Sequence, residues 1–167
     1  MKCIKKLVAL TLTAVLALTM LTACGGTPSV PEATEETKQI VDNINAVRTE
    51  NGLSALEINT AVTDVVQKHL AVQEKKELNL ISEENYKKEA RELSAIKVDG
   101  RSRNGYVATT ANSSGEKIFT KENWQKTYDK NDMGSYSQIV RNADAKYVGV
   151  AIKQISNGKY ITVVVTY

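Results

Sequence analysis

The C-terminal segment constrains the fold more than any other part of the chain. Residues 147–155 and 159–167 are rich in valine, isoleucine and tyrosine, and Asn157 and Gly158 lie between them. Residues with β-branched or aromatic side chains favour strands, and an Asn-Gly pair favours a two-residue type I′ turn. The segment is therefore predicted to form an antiparallel β-hairpin.

Counting outward from this turn predicts the register of the hairpin. The expected cross-strand pairs are Ile152 with Val163, Val150 with Val165, Val148 with Tyr167, Ala151 with Val164, and Ile155 with Tyr160. Apolar side chains occupy both faces of these pairs. A sheet with one solvent-exposed face would alternate apolar and polar residues. This hairpin is therefore expected to lie between two covering layers.

Two amphipathic helices are predicted ahead of the hairpin. Thr34 and Asn59 can each accept a hydrogen bond from the first turn of a helix, as N-cap residues do. Apolar side chains follow at helical spacing: Ile40, Val41, Ile44 and Val47 after the first cap, and Val62, Val65, Val66 and Leu70 after the second. His69, the only histidine, falls on the apolar face of the second helix and is expected to be a core residue.

The middle of the chain is more polar. Ser82 can cap a third helix, whose run of charged residues is typical of a solvated face. The pairs Asp99-Gly100 and Asn104-Gly105 are typical turn signals. Helices followed by a two-sided antiparallel sheet predict an α+β domain built as an α-β-α sandwich.

The N-terminal segment is typical of a secretory signal rather than of a fold element. Three lysines precede an apolar run over residues 7–21, which is too short to span a bilayer. The sequence Leu21-Thr22-Ala23-Cys24 resembles a bacterial lipobox, in which the cysteine is lipidated after cleavage; an ordinary signal peptide is the alternative. The predicted organisation is a signal peptide over 1–23, a lipid-anchored tether over 24–35 and one domain over 36–167.

Charge and cysteine content limit the partners and cofactors of the domain. The chain has 22 basic and 19 acidic residues, and removal of Lys2, Lys5 and Lys6 with the signal leaves 19 of each. A balanced charge gives no reason to expect a nucleic-acid partner. Both cysteines precede residue 25, so no disulfide is expected in the domain, and no metal or other cofactor is predicted. The expected location is the extracytoplasmic face of the cell membrane, reached through lipid on Cys24.

Several stretches, in order, resemble the CAP superfamily of cysteine-rich secretory, antigen 5 and pathogenesis-related 1 proteins, in its secreted bacterial form. The segment INAVRTENGLSALEINTAVTDVVQKHLAVQ is similar to the opening helix, the Arg-x-Glu-Asn-Gly-Leu turn and the second helix of that family. KVDGRS resembles its Asp-Gly loop, SSGEKI its Gly-Glu-Asn-Ile segment, and GSYSQIVRNADAKYVGVAI its Gly-His segment leading into a strand. The resemblance implies the CAP-type sandwich over the whole domain.

The resemblance also implies a cavity, in which family members gather histidines and acids that can hold a divalent metal. In this chain the two histidine positions correspond to Ala95, which follows Ser94, and to Ser135, while the acid is kept as Glu116. The cavity motif is therefore degenerate, and Ser135 resembles a vacated ligand position. The candidate cavity residues are Glu116, Ser135, Ser94 and Tyr136, with no metal ligands and no catalytic residue assigned among them.

Two chemical alternatives stay open for these residues. Glu116 could form a carboxylate pair if Asp99, Glu122 or Asp132 folded back towards it, and acid/base catalysis needs such a second group. Ser135 could act as a nucleophile only beside an oriented base, and His69 is the sole histidine.

Three functions remain as hypotheses, and whether the protein is an enzyme is left open, with a non-catalytic role favoured. The first is a lipid-anchored CAP-like domain that binds a peptide, an envelope component or a small apolar ligand. The second is a divergent, protease-like hydrolase that uses Glu116. The third is an envelope scaffold protein that contacts a protein partner through exposed residues between 79 and 91.

Overall fold

The computed structural model describes residues 33–130 and 134–167. The helices are α1 (Glu35–Glu50), α2 (Thr60–Glu77), α3 (Glu83–Ser94), α4 (Gly115–Ile118), α5 (Lys121–Lys130) and α6 (Ser135–Arg141), and the strands are β1 (Glu57–Ile58), β2 (Gly105–Ala111), β3 (Tyr147–Gln154) and β4 (Tyr160–Thr166). The predicted signal peptide, Cys24 and Asp132 lie outside the described residues. No helix within the described ranges combines the length and the apolar character needed to cross a membrane.

The four strands form one sheet in the order β1-β3-β4-β2. β4 pairs antiparallel with both β3 and β2, whereas the short β1 pairs parallel with β3. Alternate strand residues enter two separate cores. Val148, Val150 and Val164 pack with α1, Phe119 and Trp124, while Ala151 and Val163 pack with α2. The predicted α-β-α sandwich with a mainly antiparallel sheet is therefore confirmed.

The helices begin at the residues that the capping pattern predicts. The side chains of Thr34, Asn59 and Ser82 accept hydrogen bonds from backbone N–H groups in the first turns of α1, α2 and α3. His69 lies on the buried face of α2, with 2% of its surface exposed. In α3, by contrast, no residue is buried, as its charged sequence indicates.

The hairpin forms where predicted, but the predicted register is wrong by one residue. Val150 lies opposite Val164 and Ile152 opposite Thr162, rather than Val165 and Val163. A type I′ turn needs positive φ at both central residues, and here only Gly158 has it, at 84°. Ile155 and Lys159 close a three-residue loop instead, through an N–H to carbonyl hydrogen bond of 2.8 Å.

The two predicted turns in the middle of the chain have different outcomes. Asp99 and Gly100 both have positive φ and form a tight turn, which confirms that prediction. Asn104-Gly105 is not a turn, because Gly105 is the first residue of β2. A Cβ at Gly105 would lie 2.8 Å from Ile139 Cγ1, so this glycine allows α6 to approach the strand closely.

Candidate functional site

Ser135, one of the four candidate residues, opens onto a pocket beside the beginning of the edge strand. This pocket, here called the α6 pocket, has a volume of about 220 Å³ and is lined by Arg103, Asn104, Gly105, Tyr106, Ser135 and Gln138. Close packing of α6 on Gly105 places the first turn of the helix next to the chain that enters β2. Most of the lining is polar, and none of its side chains is acidic.

Arg103 carries the charge of the α6 pocket. Its guanidinium lies 4.8 Å from the centre of the Tyr106 ring, a cation–π contact. One guanidinium nitrogen lies 3.4 Å from Nε2 of His69, and because arginine can only donate, Nε2 is the acceptor. These two contacts fix the position of the half-buried guanidinium in the pocket lining.

The neutral polar side chains of the pocket have hydrogen-bonding groups available to a ligand. In the part of the chain that the structure describes, the side chains of Asn104, Ser135 and Gln138 make no hydrogen bond, and Arg103 forms no ion pair. The pocket therefore presents a fixed cation, two carboxamides and a hydroxyl. Such a set can bind a polar ligand, but it contains no general base.

His69 lies beneath Arg103 and not in the pocket lining. Burial, with a further contribution from the positive charge of Arg103, lowers the pKa of His69 to about 4. Its ring also lies 4.7 Å from that of Tyr106, whose pKa burial raises well above the usual value. At neutral pH the imidazole is therefore uncharged and serves as an acceptor for Arg103.

Tyr136, the residue after Ser135, points towards a different group of side chains. Its hydroxyl is 2.9 Å from the hydroxyl of Thr109, and 43% of its surface is exposed. Its ring centre lies 6.2 Å from that of Phe119 and 6.1 Å from that of Trp124. Tyr136 thus connects α6 to Phe119, which follows α4, and to Trp124 of α5.

Glu116 lies on α4, three residues before Phe119, and is half-buried. Among the residues that the structure describes, its carboxylate forms no hydrogen bond and no ion pair. Glu122 is instead 2.8 Å from Lys126, and Asp99 lies exposed in its own turn. The structure therefore brings neither of these two acids to Glu116.

Ser94 is the last residue of α3, and its hydroxyl donates to the carbonyl of Arg91 at 2.7 Å. The α3 helix packs on α2, which covers the sheet face opposite to α1. Within the described ranges, Ser94 shares no contact or pocket with Glu116, Ser135 or Tyr136. The four candidate residues are thus dispersed over at least two faces of the domain.

The residues present do not fit a metal site of the family type. No group of three or more histidine, cysteine, aspartate or glutamate residues lies together within residues 33–130 and 134–167. Hard and borderline divalent metals need several such ligands. The donors that do converge are the guanidinium, carboxamide and hydroxyl groups of the α6 pocket, which are suited to a ligand with acceptor atoms.

Sequence reasoning missed three of the residues in this pocket, namely Arg103, Asn104 and Gln138. Arg103 and Asn104 follow the Asp-Gly loop closely, and Gln138 lies in the same segment as Ser135. Each of these three residues lies beside a family motif in the sequence. The sequence does not show that they lie together, because their proximity depends on how α6 packs against the start of β2.

The fold defines a class of protein: an α-β-α sandwich in which a mainly antiparallel sheet separates α2 and α3 from α1, α5 and α6. The family model described as "CAP: Cysteine-rich secretory protein family" matches residues 41–167. The chain therefore belongs to the CAP family. No curated protein matches the sequence.

A solved structure shares this fold. Venom allergen-like protein 4 of Schistosoma mansoni superimposes with a TM-score of 0.53 at 17% identity, over 80% of this chain and 88% of that one. An outer surface protein of Borrelia burgdorferi superimposes with a TM-score of 0.48 at 15% identity, over 81% of this chain and 94% of that one. The first of these similarities supports the CAP fold alone.

Proposed function

We propose that this protein is a non-catalytic, lipid-anchored CAP domain that binds a small polar ligand at the extracytoplasmic face of a bacterial membrane. The observation that carries this proposal is the composition of the α6 pocket. Ser135, which the family resemblance predicts to stand at a histidine position, is surrounded by hydrogen-bonding groups rather than by acids or bases. These groups are suited to binding, and they lack the paired titratable groups that hydrolysis requires.

The isolation of Glu116 supports a binding role over a hydrolytic one. A carboxylate becomes an effective acid or base when a neighbouring group tunes it and a second group completes the proton transfer. The described surroundings of Glu116 supply no partner of this kind. A hydrolase would therefore need groups that converge elsewhere in the chain.

The hydrolytic alternative is tested with the Glu116→Gln variant. We expect the parent and the variant to be equally inactive on a panel of peptide and cell-wall substrates, with and without added zinc. Glu122→Gln is the matched control, because Glu122 is an exposed acid paired with Lys126. Turnover in the parent and in the control that is lost in Glu116→Gln would refute the non-catalytic proposal.

The membrane anchor is tested at Cys24. We propose that Cys24 becomes the lipidated first residue, because a basic segment, a short apolar run and Leu21-Thr22-Ala23 precede it. Cys24→Ser should move most of the protein from the membrane fraction to the medium or to the aqueous phase of a detergent partition. Cys3→Ser is the matched control and should leave the protein in the membrane fraction. Retention of Cys24→Ser with the membrane would contradict lipid anchoring.

A further inference from the structure

We infer that the α6 pocket binds an oxyanion, a carboxylate or phosphate group of a small ligand, on the guanidinium of Arg103 with Ser135 and Gln138 as neutral donors. This inference rests on the proposed function, because it names the ligand class of the same pocket. It assigns the binding role to Arg103, which no family motif identifies.

The charge of the pocket is uncompensated. Arginine is protonated at every physiological pH, and Arg103 has no ion-pair partner in the described part of the chain. Of its five N–H donors, the structure shows one directed to His69. The guanidinium fork matches the paired oxygens of carboxylate and phosphate groups, which makes such a group the best-suited counterion.

The guanidinium is also pre-organised. Tyr106 supports its face, and Nε2 of His69 accepts from one nitrogen. A free arginine side chain on a surface would lose rotamer entropy on binding a ligand, whereas much of that loss has already occurred for Arg103. The contact with neutral His69 leaves the positive charge in place, because imidazole is not a counterion in that state.

The lining excludes other classes of ligand. A cation would meet the charge of Arg103 with no acidic side chain to offset it. An apolar ligand would bury the unpaired amides and hydroxyl of Asn104, Ser135 and Gln138, which carries a cost for each group left unsatisfied. The volume of about 220 Å³ lies below the range of roughly 300–1,000 Å³ that is usual for drug-sized ligands, so a small group or the charged end of a longer molecule fits best.

His69 provides an independent reporter of this binding. The groups that face its ring are Arg103 and Tyr106, and the positive charge of Arg103 contributes to its low pKa. An anion bound to Arg103 would offset that charge and raise the pKa of His69. Because His69 is the only histidine, its imidazole signals can be followed without assignment ambiguity.

The experiment uses the purified full chain and two probes, inorganic phosphate and acetate, at constant ionic strength set with chloride. At pH 6, saturable shifts are expected in the amide signals of Ser135 and Gln138 and in the Nε–H signal of Arg103. Phosphate should also raise the pKa of His69. A response to phosphate alone points to a phosphate-bearing ligand, and a response to acetate alone points to a carboxylate-bearing one.

Three variants make the assignment specific. Arg103→Gln should weaken binding at least about tenfold, the loss expected for a charge-assisted hydrogen bond, and it should raise the pKa of His69 without any anion. Arg103→Lys keeps the charge but not the fork, so it should bind more weakly than the parent and better than Arg103→Gln. Arg101→Gln removes an exposed arginine that donates to the carbonyl of Asp144, and it should bind like the parent.

Two results would overturn the oxyanion assignment. One is the absence of any saturable shift in the parent with either probe, and the other is an unchanged response in folded Arg103→Gln. Thermal melts establish that each variant is folded before it is titrated. Neither result decides whether the protein is catalytic. The turnover assay with Glu116→Gln tests that question separately from anion binding.

Discussion

Replacing Arg48 with methionine is expected to lower the free energy of unfolding by about 3 to 5 kcal/mol, because the buried guanidinium donates hydrogen bonds to three backbone carbonyls. Arg48 lies in the Arg-x-Glu-Asn-Gly-Leu segment and has no exposed surface. Its Nε donates to the carbonyl of Ser54 at 2.9 Å. One terminal nitrogen donates to the carbonyls of Ile139 and Asn142 at 3.2 and 3.0 Å.

The physical reason is that Arg48 donates hydrogen bonds to backbone carbonyls in two separate parts of the chain. The carbonyls of Ile139 and Asn142 belong to the C-terminal end of α6, where helix carbonyls have no partner within the helix. Methionine fills much of the same volume but removes the side-chain donor to the buried carbonyl of Ile139, and it leaves the carbonyl of Asn142 with only the 3.4 Å hydrogen bond from the N–H of Ala145. A hydrogen bond from a charged donor contributes about 1.5 to 3 kcal/mol, and one buried guanidinium nitrogen of Arg48 that has no partner offsets part of the sum, so the loss of the three bonds accounts for the expected total.

Urea unfolding followed by circular dichroism measures this change. Arg48→Lys should recover part of the loss, because lysine keeps a charge and donors but not the planar fork. Arg101→Met is the matched control; its guanidinium donates to one carbonyl on an exposed surface, so a change of less than about 1 kcal/mol is expected. If Arg48→Met unfolds at the same urea concentration as the control, the three carbonyl contacts do not stabilise the fold as argued.

Acidification from pH 6.5 to about 4 is expected to remove about 3 kcal/mol of stability through His69 alone. In the unfolded chain this histidine binds a proton near pH 6.5, whereas in the folded protein its pKa is about 4. Between these values the unfolded state binds more protons, so stability falls as the pH falls. Above about pH 7.5 both states are essentially neutral, so His69 contributes no further pH dependence.

The His69→Gln variant isolates this contribution from that of the carboxylates. Glutamine can still accept from Arg103 but does not titrate. The difference in unfolding free energy between the parent and the variant should therefore change by about 3 kcal/mol between pH 7 and pH 4. Parallel curves for the two proteins over this range would show that the imidazole is not kept neutral by its burial.

Local sequence patterns predicted much of the fold. Thr34, Asn59 and Ser82 were identified as caps because the cap hydrogen bond is formed within three residues along the chain. The two-sided burial of β3 and β4 followed from their apolar residues on both faces. The family resemblance was confirmed over most of the domain, because it rested on the order of several motifs.

The candidate site was predicted less well. Ser135 does line a polar pocket, but Ser94 lies on another face, and the carboxylate of Glu116 forms no hydrogen bond or ion pair among the described residues. The comparison of single positions with a family motif treats each residue separately. It predicts which ligand positions differ from the family motif, but not which side chains lie together in the folded domain.

The sequence by itself determined the class of fold, the places where α1, α2 and α3 begin, and the burial of His69, because each depends on residue types that are near one another in the chain. The tertiary structure decided the register of the hairpin. Only Gly158 of the Asn157-Gly158 pair has positive φ, so the type I′ turn that this pair predicts does not form. The tertiary structure also decided the role of Gly105, whose missing side chain admits α6. The α6 pocket follows from the same packing. Arg103 and Ser135 are far apart in sequence, and only the contact between α6 and β2 places a fixed positive charge beside an unused hydroxyl.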